Sequence, residues 1–389
     1  MMPFENIRVA DFTTMLAGAG ICTTLSDMGA DVIKIEPLDG DPWRMVAGSF
    51  MGTNRGKRAI AIDLTKEEGR RIAYKIISKS DIMVENAKIG TMDKLKLDYK
   101  SVKKINPEII YVSASGFGAQ GPKALHPAYD PIMQALSGQM ARQGGSAPVY
   151  HKIALNDEAT PLVGAFGAAL ALFHKMNTGH GQLVQTSLLN SAVALQSGEF
   201  IEYKGIKRKN IGGPDIKGTN ALNRLYQGND GEWFFLMAEK EDHWQALCKM
   251  LGISALAGAK FKTPSSRKRH AVELSKLLQD TFYSTPASGW VFMLQLSGIP
   301  SVMSLHLDDV LKDKHCLDTG VFVDQQHPSM GNVRTLNALA QFSETPVSVR
   351  RPSPRLGENT DEILGELAYK ADEIEEFKRG KLVVQAGEK

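Results

Sequence analysis

The stretch IRVADFTTMLAGAGICTTLSDMGADVIKIE, residues 7–36, decides the fold. Residues 7–12 are typical of a short buried strand, and residues 31–36 alternate between two faces as a second strand would. Between them, residues 17–30 carry apolar side chains at helical spacing, and Gly29 ends the pattern. A strand, a helix and a second strand in so short a stretch predict a βαβ unit with parallel strands.

The same alternation continues along the N-terminal half of the chain. Residues 65–80 predict a helix that Thr65 caps, with Glu68 at the capping-box position. The further predicted strands are 58–64, 81–86 and 108–115. The pattern predicts the α/β class, with a doubly wound and mainly parallel sheet. Ligands of such sheets bind beyond the carboxyl ends of the strands, so the loops that follow the strands are the candidate site.

The composition changes after residue 203, and a length of 389 residues favours two domains. Residues 1–203 form the predicted large domain. Residues 204–220 are basic, glycine-rich and aperiodic, which predicts a linker. Residues 221–325 begin with a hairpin pattern around an NDG turn and continue with helical patterns, which predicts a small α+β domain. Residues 326–389 form the C-terminal segment.

Bulk composition excludes several classes of protein. A net charge of +3 is too small to indicate a nucleic-acid binder. Three widely spaced cysteines match no metal-ligand or disulfide pattern, so we expect no metal site and a reducing, cytoplasmic setting. The N-terminus has no signal-peptide pattern. The most apolar stretch, 162–173, is too short and too rich in glycine and alanine to predict a membrane span.

Asp157 and Glu158 stand just before an apolar run of small residues, 161–175, that predicts a closely packed helix. Two interpretations stay open. Asp157 either serves the positive end of the helix dipole or is a reactive carboxylate held against close-packed backbone.

Two other motifs concern nucleotide-like ligands. GFGAQG, residues 116–121, matches G-x-G-x-x-G, but Pro122 follows at once and the motif does not follow the first strand. Nicotinamide binding is therefore disfavoured. Lys57 and Arg58 end the basic motif NRGKR beyond a strand, a position suited to phosphates.

Read in order, the motifs resemble the family III CoA-transferases, which include formyl-CoA transferase and carnitine CoA-transferase. They are VADFTTMLAGAGICTTLSDMGADVIKIEPLDGDPWR, NRGKRAIAIDL, DIMVEN, NPEIIYVSASGFGAQGP, PAYDPIMQALSG, TGHGQLVQTSLL and LGENTDEIL. The resemblance implies a Rossmann-like large domain to which residues 326–389 return, an inserted small domain and an interlocked-ring homodimer. It also implies acyl-CoA and small carboxylic acids as substrates, with no tightly bound cofactor.

The resemblance further implies a set of site residues. Asp157 matches the family nucleophile, which forms an aspartyl-acyl anhydride and then an aspartyl-CoA thioester. Asp130 matches an acidic side chain that faces the nucleophile, which implies a second catalytic residue, although a turn residue before Pro131 is the alternative. The residues implied for CoA binding are Thr14, Met15, Leu16, Ala17, Lys57, Arg58, Asn86, Ala87 and Lys94.

The chain departs from the family pattern at several positions. Leu16 stands where formyl-CoA transferase has a glutamine, which argues against formyl or oxalyl substrates. Ala19 replaces a proline, and Ala87 and Lys88 replace an aromatic residue and an arginine. Residues 211–218 are the nearest match to the glycine-rich lid.

Alternative functions also stay open. α-Methylacyl-CoA racemases share the fold and the aspartate but carry a histidine where this chain has Tyr129, a poor base at neutral pH. His126 lies three residues before Tyr129. A CoA-binding paralogue without turnover is the second alternative. Arg142, His151 and Lys152 are candidate cations for the second carboxylate of a dicarboxylate substrate.

Overall fold

The computed structural model describes residues 1–206, 212–213 and 215–387. The chain divides into two compact units, one formed by Met1–Ile211 with Asp318–Lys389 and the other by Gly212–Leu317. Much of the predicted linker, residues 207–211 and 214, lies outside the described residues, as does part of the lid candidate 211–218. The second unit begins and ends at earlier residues than the predicted 221–325. It begins earlier because residues 218–220 pair with a strand of the second unit, and it ends earlier because residues 322–327 pair with a strand of the first unit.

The described residues form the following regular elements. The strands are β1 (Arg8–Asp11), β2 (Asp31–Glu36), β3 (Arg58–Ile62), β4 (Ile82–Glu85), β5 (Ile110–Ser115), β6 (Leu183–Ser187), β7 (Gly218–Asn220), β8 (Asn223–Gln227), β9 (Trp233–Met237), β10 (Ser301–Met303), β11 (Phe322–His327), β12 (Gly331–Leu336) and β13 (Val383–Val384). The helices are α1 (Ala17–Asp27), α2 (Ala47–Asn54), α3 (Glu67–Ser78), α4 (Thr91–Lys94), α5 (Tyr99–Ile105), α6 (Asp130–Leu136), α7 (Gln139–Gly144), α8 (Leu155–Thr178), α9 (Leu188–Ala194), α10 (Glu241–Leu251), α11 (Pro264–Arg269), α12 (Ala271–Phe282), α13 (Ala287–Leu296), α14 (Leu307–Val310), α15 (Lys314–Asp318), α16 (Thr360–Glu366) and α17 (Ala371–Arg379).

The first unit is built on a seven-stranded sheet with the order β13-β3-β2-β1-β4-β5-β6. All neighbouring strands are parallel except β13, which pairs antiparallel with β3. The order 3-2-1-4-5-6 is that of the Rossmann fold, with a topological switch point between β1 and β4. The predicted α/β class with a mainly parallel sheet is confirmed.

Consecutive residues of each strand belong to cores on opposite faces of this sheet. On one face, Val9 and Val32 pack with the apolar sides of α1 and α8. On the other, Ala10 and Ile33 pack with α3, α5 and the C-terminal helices. Because both faces are covered, the strands consist largely of apolar residues.

Helices α1 and α8 approach closely because glycines stand at their contact. A Cβ on Gly20 would lie 2.5 Å from the ring of Pro161, and a Cβ on Gly164 would overlap the side chain of Ile21. Small residues in α8 therefore let it lie directly against α1. This contact sets the start of α8 beside the loop that joins β1 to α1.

Helix α8 is longer than the apolar stretch 162–173 indicated. By length and composition alone this 24-residue helix is apolar enough to cross a membrane. Core helices of α/β proteins pass the same test, and Ala165, Ala168 and Ala171 are buried against the sheet.

The second unit contains an antiparallel sheet with the order β10-β9-β8-β7. The predicted hairpin is confirmed, since β8 and β9 pair antiparallel around residues 228–232. Buried aromatic side chains such as Tyr226, Phe234 and Phe282 pack between this sheet and its helices.

Candidate active site

A cavity of about 310 Å³ opens at the carboxyl ends of β1, β4 and β5. It therefore lies at the topological switch point, where ligands of doubly wound sheets bind. The predicted residues that line it are Thr14, Met15, Leu16, Ala17, Asn86, Ala87 and Asp157. Residues that are far apart in sequence thus meet around one space.

Asp157 is the third residue of α8, inside its first turn rather than ahead of the helix. Its side chain is half-buried and lines the cavity. Burial, followed by the negative charges of Asp130 and Glu158, raises the pKa of Asp157 to about 7. At neutral pH the Asp157 side chain is therefore only partly ionised, and carboxyl groups with pKa values shifted this far are concentrated at functional sites.

Asp130 does not line the cavity but holds the start of α8. One oxygen of this buried carboxylate accepts hydrogen bonds from the backbone N–H groups of Asn156 (2.7 Å) and Asp157 (3.1 Å). The other accepts one from Gln134 Nε2 at 2.5 Å. Since the N-cap residue Ala154 offers no side-chain cap, Asp130 caps α8 from another segment. These contacts make Asp130 a positioning residue for the start of α8, and its assignment as a second catalytic residue stays a prediction.

The loop between β1 and α1 forms another part of the cavity wall and is clamped by Asn86. The amide side chain of Asn86 accepts from Thr14 N and donates to Thr14 O, both at 2.9 Å. Met15, the next residue, has a φ of 63°, which non-glycine residues seldom adopt. Asn86 thus fixes the loop and also contributes to the cavity wall.

Lys57 lies away from the cavity and is occupied by structural contacts. Its buried ammonium donates to Asp11 Oδ2 (2.8 Å), Ala19 O (2.9 Å) and Asn54 Oδ1 (2.9 Å), which uses all three donors. The predicted phosphate contact of Lys57 is not supported.

The predicted phosphate contact of Arg58 is not supported either, because its guanidinium pairs with Asp31, Glu362 and Glu366. Lys94 is exposed at the end of α4 and does not line the cavity, so its assignment stays a prediction.

Other lining residues were not among the predicted site residues, and those with a polar or aromatic side chain include Trp43, Lys88, His126 and Tyr129. The position of Lys88 could have been predicted from the sequence, since it lies two residues after Asn86 in the loop that follows β4. Trp43 lies in a turn after β2, among the loops expected to form the site, but no feature of that loop singled out this residue. The cations proposed for a second carboxylate, Arg142, His151 and Lys152, do not line this cavity, and Arg142 pairs with Glu199 at 2.6 Å.

A second cavity of about 520 Å³ adjoins the first and shares Thr14 and Ala87 with it. Its other lining residues are mostly apolar, among them Phe12, Ile35, Ile62 and Met92. In the described part of the chain, no three His, Cys, Asp or Glu side chains group as a metal site would require.

Comparison with known proteins gives consistent matches along the chain. The family model of CoA-transferase family III matches residues 4–360. The human succinyl-CoA:glutarate CoA-transferase is 30% identical, over 94% of this chain and 86% of that protein. The succinate–glutarate CoA-transferase of Agrobacterium fabrum is 29% identical, over 94% of this chain and 96% of that protein. The crystal structure of a CAIB/BAIF family protein from Brucella suis superposes with a TM-score of 0.85 and 30% identity, covering 94% of this chain and 99% of that one.

Proposed function

The chain belongs to CoA-transferase family III and is a CoA-transferase, and from that premise we propose that it transfers CoA through covalent intermediates on Asp157. The observation that carries the proposal is the position of Asp157, which is half-buried and lines the same cavity as the β1–α1 loop. A carboxylate is a weak nucleophile in water, and removal from solvent makes it more reactive.

The proposed reaction has two halves, each of two steps. The Asp157 carboxylate attacks the thioester carbonyl, which gives an aspartyl-acyl anhydride and releases the CoA thiolate. The thiolate attacks the aspartyl carbonyl, which frees the donor acid and leaves an aspartyl-CoA thioester. The acceptor carboxylate then attacks that thioester carbonyl, giving a new anhydride and CoA thiolate. The thiolate finally attacks the acceptor acyl carbonyl, which yields the new acyl-CoA and restores Asp157.

Backbone donors near Asp157 suit the oxyanions of these steps. Helix α1 begins without a side-chain cap, and Leu16 and Ala17, at its start, line the cavity. The N–H groups in the first turn of a helix have no partner within the helix and carry partial positive charge. We assign them to the developing negative charge on the attacked carbonyl oxygen.

The two adjoining cavities suit an elongated ligand such as an acyl-CoA. The thioester end belongs in the first cavity, against Thr14, Met15, Leu16, Ala17, Asn86 and Ala87. The apolar second cavity would take the adenine end, since the two cavities meet at Thr14 and Ala87. Lys88 and Lys94, not Lys57 and Arg58, are then the candidate partners of the CoA phosphates.

A dicarboxylate is the acid that we propose as donor or acceptor, as in the relatives named for succinyl-CoA, succinate and glutarate. His126 lines the cavity with Asp157, and its ring N–H is the candidate hydrogen-bond donor for the second carboxylate. A panel of CoA esters and free acids, followed by liquid chromatography, tests this. Turnover of dicarboxylates is expected, and turnover of monocarboxylates alone would refute it.

A homodimer is proposed as the working form. Helix α8 exposes Leu162, Phe166, Leu170 and Phe173, all between 51% and 67% accessible in the single chain. Exposed apolar patches of this kind mark interaction surfaces. A second copy of the chain, interlocked as the family resemblance implies, would cover it. A cytoplasmic location stays a prediction.

The variant Asp157→Asn tests the assignment of the nucleophile. It keeps the shape of the side chain and removes its nucleophilic charge, so we expect turnover to fall by about 10³-fold or more. Asp372→Asn is the matched control, because it makes the same change at an exposed aspartate in the first turn of α17 that does not line the cavity. Equal activity of Asp157→Asn and wild type would refute the proposal. α-Proton exchange into solvent by the wild-type protein, without transfer of CoA, would favour the racemase alternative.

A further inference from the structure

The β1–α1 loop, residues 12–16, holds a conformation that its own sequence does not favour. Met15 has a φ of 63°, in the left-handed region where a side chain is usually disfavoured. Such a conformation persists only when surrounding groups fix it. Contacts to the backbone on either side of Met15 therefore matter for the cavity wall.

One buried carboxylate fixes Met15 together with a second wall residue. Asp41 Oδ1 accepts hydrogen bonds from the backbone N–H groups of Met15 (3.2 Å) and Trp43 (2.9 Å). Both Met15 and Trp43 line the cavity that contains Asp157. A single oxygen atom thus sets the position of two separate segments.

Lys34 ties this carboxylate to the central sheet. Its ammonium donates to Asp41 Oδ2 and to Thr13 O, both at 3.0 Å. The side chains of Lys34 and Asp41 are both fully buried. Because Lys34 belongs to β2, the pair connects the loop to a rigid strand.

The Lys34–Asp41 pair belongs to a larger group with equal numbers of acidic and basic side chains. Asp11 accepts from Thr13 N at 2.9 Å, and Glu36 accepts from Asp41 N at 2.9 Å. The group as a whole contains the acids Asp11, Glu36 and Asp41 and the bases Lys34, Arg44 and Lys57. A buried ion pair seldom stabilises a fold more than apolar packing of the same volume would. We therefore consider the Lys34–Asp41 pair for its effect on the conformation of the loop.

We propose that the Lys34–Asp41 pair is a positioning device for the candidate active site. It holds Met15 in its left-handed conformation and keeps Met15 and Trp43 in the wall of the cavity that Asp157 also lines. The link to catalysis rests on the proposed function, whereas the link to loop geometry does not.

The test compares Lys34→Met, Asp41→Asn and the double variant Lys34→Met/Asp41→Asn. Asp27→Asn is the matched control, because Asp27 is also buried and ion-paired, to Arg55 at 2.6 Å, but stands at the other end of α1. Amide hydrogen exchange of residues 13–17 and 42–46 reports on the loop. Steady-state kcat and KM for an acyl-CoA are measured well below the melting temperature of each variant.

We expect the amides of Met15 and Trp43 to exchange at least about tenfold faster in both single variants. Misplacement of the wall by an ångström should also raise KM and lower kcat by about 10–100-fold. The control should change either quantity by less than about twofold, although its melting temperature falls. The double variant keeps an amide oxygen for both N–H groups and leaves no unpaired charge, so its values should lie between those of the single variants and wild type.

Unchanged exchange at Met15 and Trp43 in the folded single variants would overturn the proposal, as would an equal increase in the control. If neither single variant folds, exchange in the double variant must still exceed that of the control, because Thr13 O has lost its partner. If the wild-type protein turns over no acyl-CoA, the proposed function fails, and the exchange data still decide whether the pair positions the loop.

Discussion

Asp157 carries its carboxylate in the first turn of a helix, where the dipole alone would favour the charged form. Burial and the charges of Asp130 and Glu158 outweigh that effect and raise the pKa to about 7. The ionised form is the one that attacks a thioester. Activity should therefore increase as the pH rises through about 7.

The raised pKa also predicts a pH-dependent stability difference for Asp157→Asn. Between about pH 4 and pH 7 the unfolded chain loses the Asp157 proton while the folded chain retains it, so ionisation increasingly destabilises the folded state. The amide removes that penalty. We expect Asp157→Asn to be more stable than wild type by about 1–3 kcal/mol at pH 8, with a smaller gain near pH 4. Urea unfolding at both pH values checks this, and a gain that does not grow with pH would contradict the assignment.

Asp130→Asn should separate the two effects of Asp130. The amide oxygen can still accept from Asn156 N and Asp157 N, but the negative charge near Asp157 is gone. The pKa of Asp157 should fall, so the acidic limb of the pH–rate profile should move to lower pH. Weaker capping should lower the free energy of unfolding by about 0.5–2 kcal/mol. An unmoved pH profile would show that Asp130 does not influence Asp157.

The place of a single residue in the candidate site could be predicted from the sequence where it depends on the residues next to it in the chain. Asp157 and the run Thr14–Ala17 stand out within short motifs. Lys57 and Arg58 also stand out as a basic motif, yet their partners Asp11 and Glu366 come from distant parts of the chain. Sequence alone does not show that these charges are already neutralised inside the fold.

At the scale of elements, the contact between α1 and α8 sets the distance between the nucleophile and the β1–α1 loop. Gly164→Val would push a branched side chain into Ile21. We expect a loss of about 1–3 kcal/mol in unfolding free energy together with reduced kcat. Gly365→Ala is the control, because nothing lies within 4 Å of a Cβ there, and it should be neutral or stabilising by up to about 1 kcal/mol. Equal effects of the two substitutions would contradict the close-contact interpretation.

The first residue of a helix was harder to predict from the sequence than the presence of the helix. The expected start at Pro161 is wrong, since α8 begins at Leu155 and includes Pro161. Asp130, from a remote segment, supplies the cap that makes the earlier start possible. Likewise α3 begins at Glu67 after an uncapped Lys66, because the hydroxyl of Thr65 donates to Asp63 instead.

At the scale of the whole molecule, the parallel sheet followed from the repeated alternation of strand and helix patterns. The antiparallel edge strand β13 did not, because two residues are too few to form a pattern. The switch point between β1 and β4 explains why the β1–α1 loop and Asn86 meet. Pairing of distant strands places them together, and local sequence patterns do not specify that pairing.

The proposed dimer predicts a response to charge on α8. Phe166 is 65% exposed in the single chain, and Phe166→Glu would place a carboxylate in the covered face. Light scattering should give twice the 42.5 kDa chain mass for wild type and a lower mass, or aggregation, for the variant. Lys96→Glu, at an exposed surface position outside α8, is the control. A wild-type mass of one chain would contradict the proposal.

Covalent trapping on Asp157 is the most direct measurement. The protein is incubated with succinyl-CoA, treated with hydroxylamine or borohydride, and its peptides are mapped by mass spectrometry. A modification of Asp157 that requires the acyl-CoA and is absent from Asp157→Asn is predicted. Turnover of the acyl-CoA without any modification at Asp157, or with modification at another carboxylate, would contradict the assignment of this residue as nucleophile.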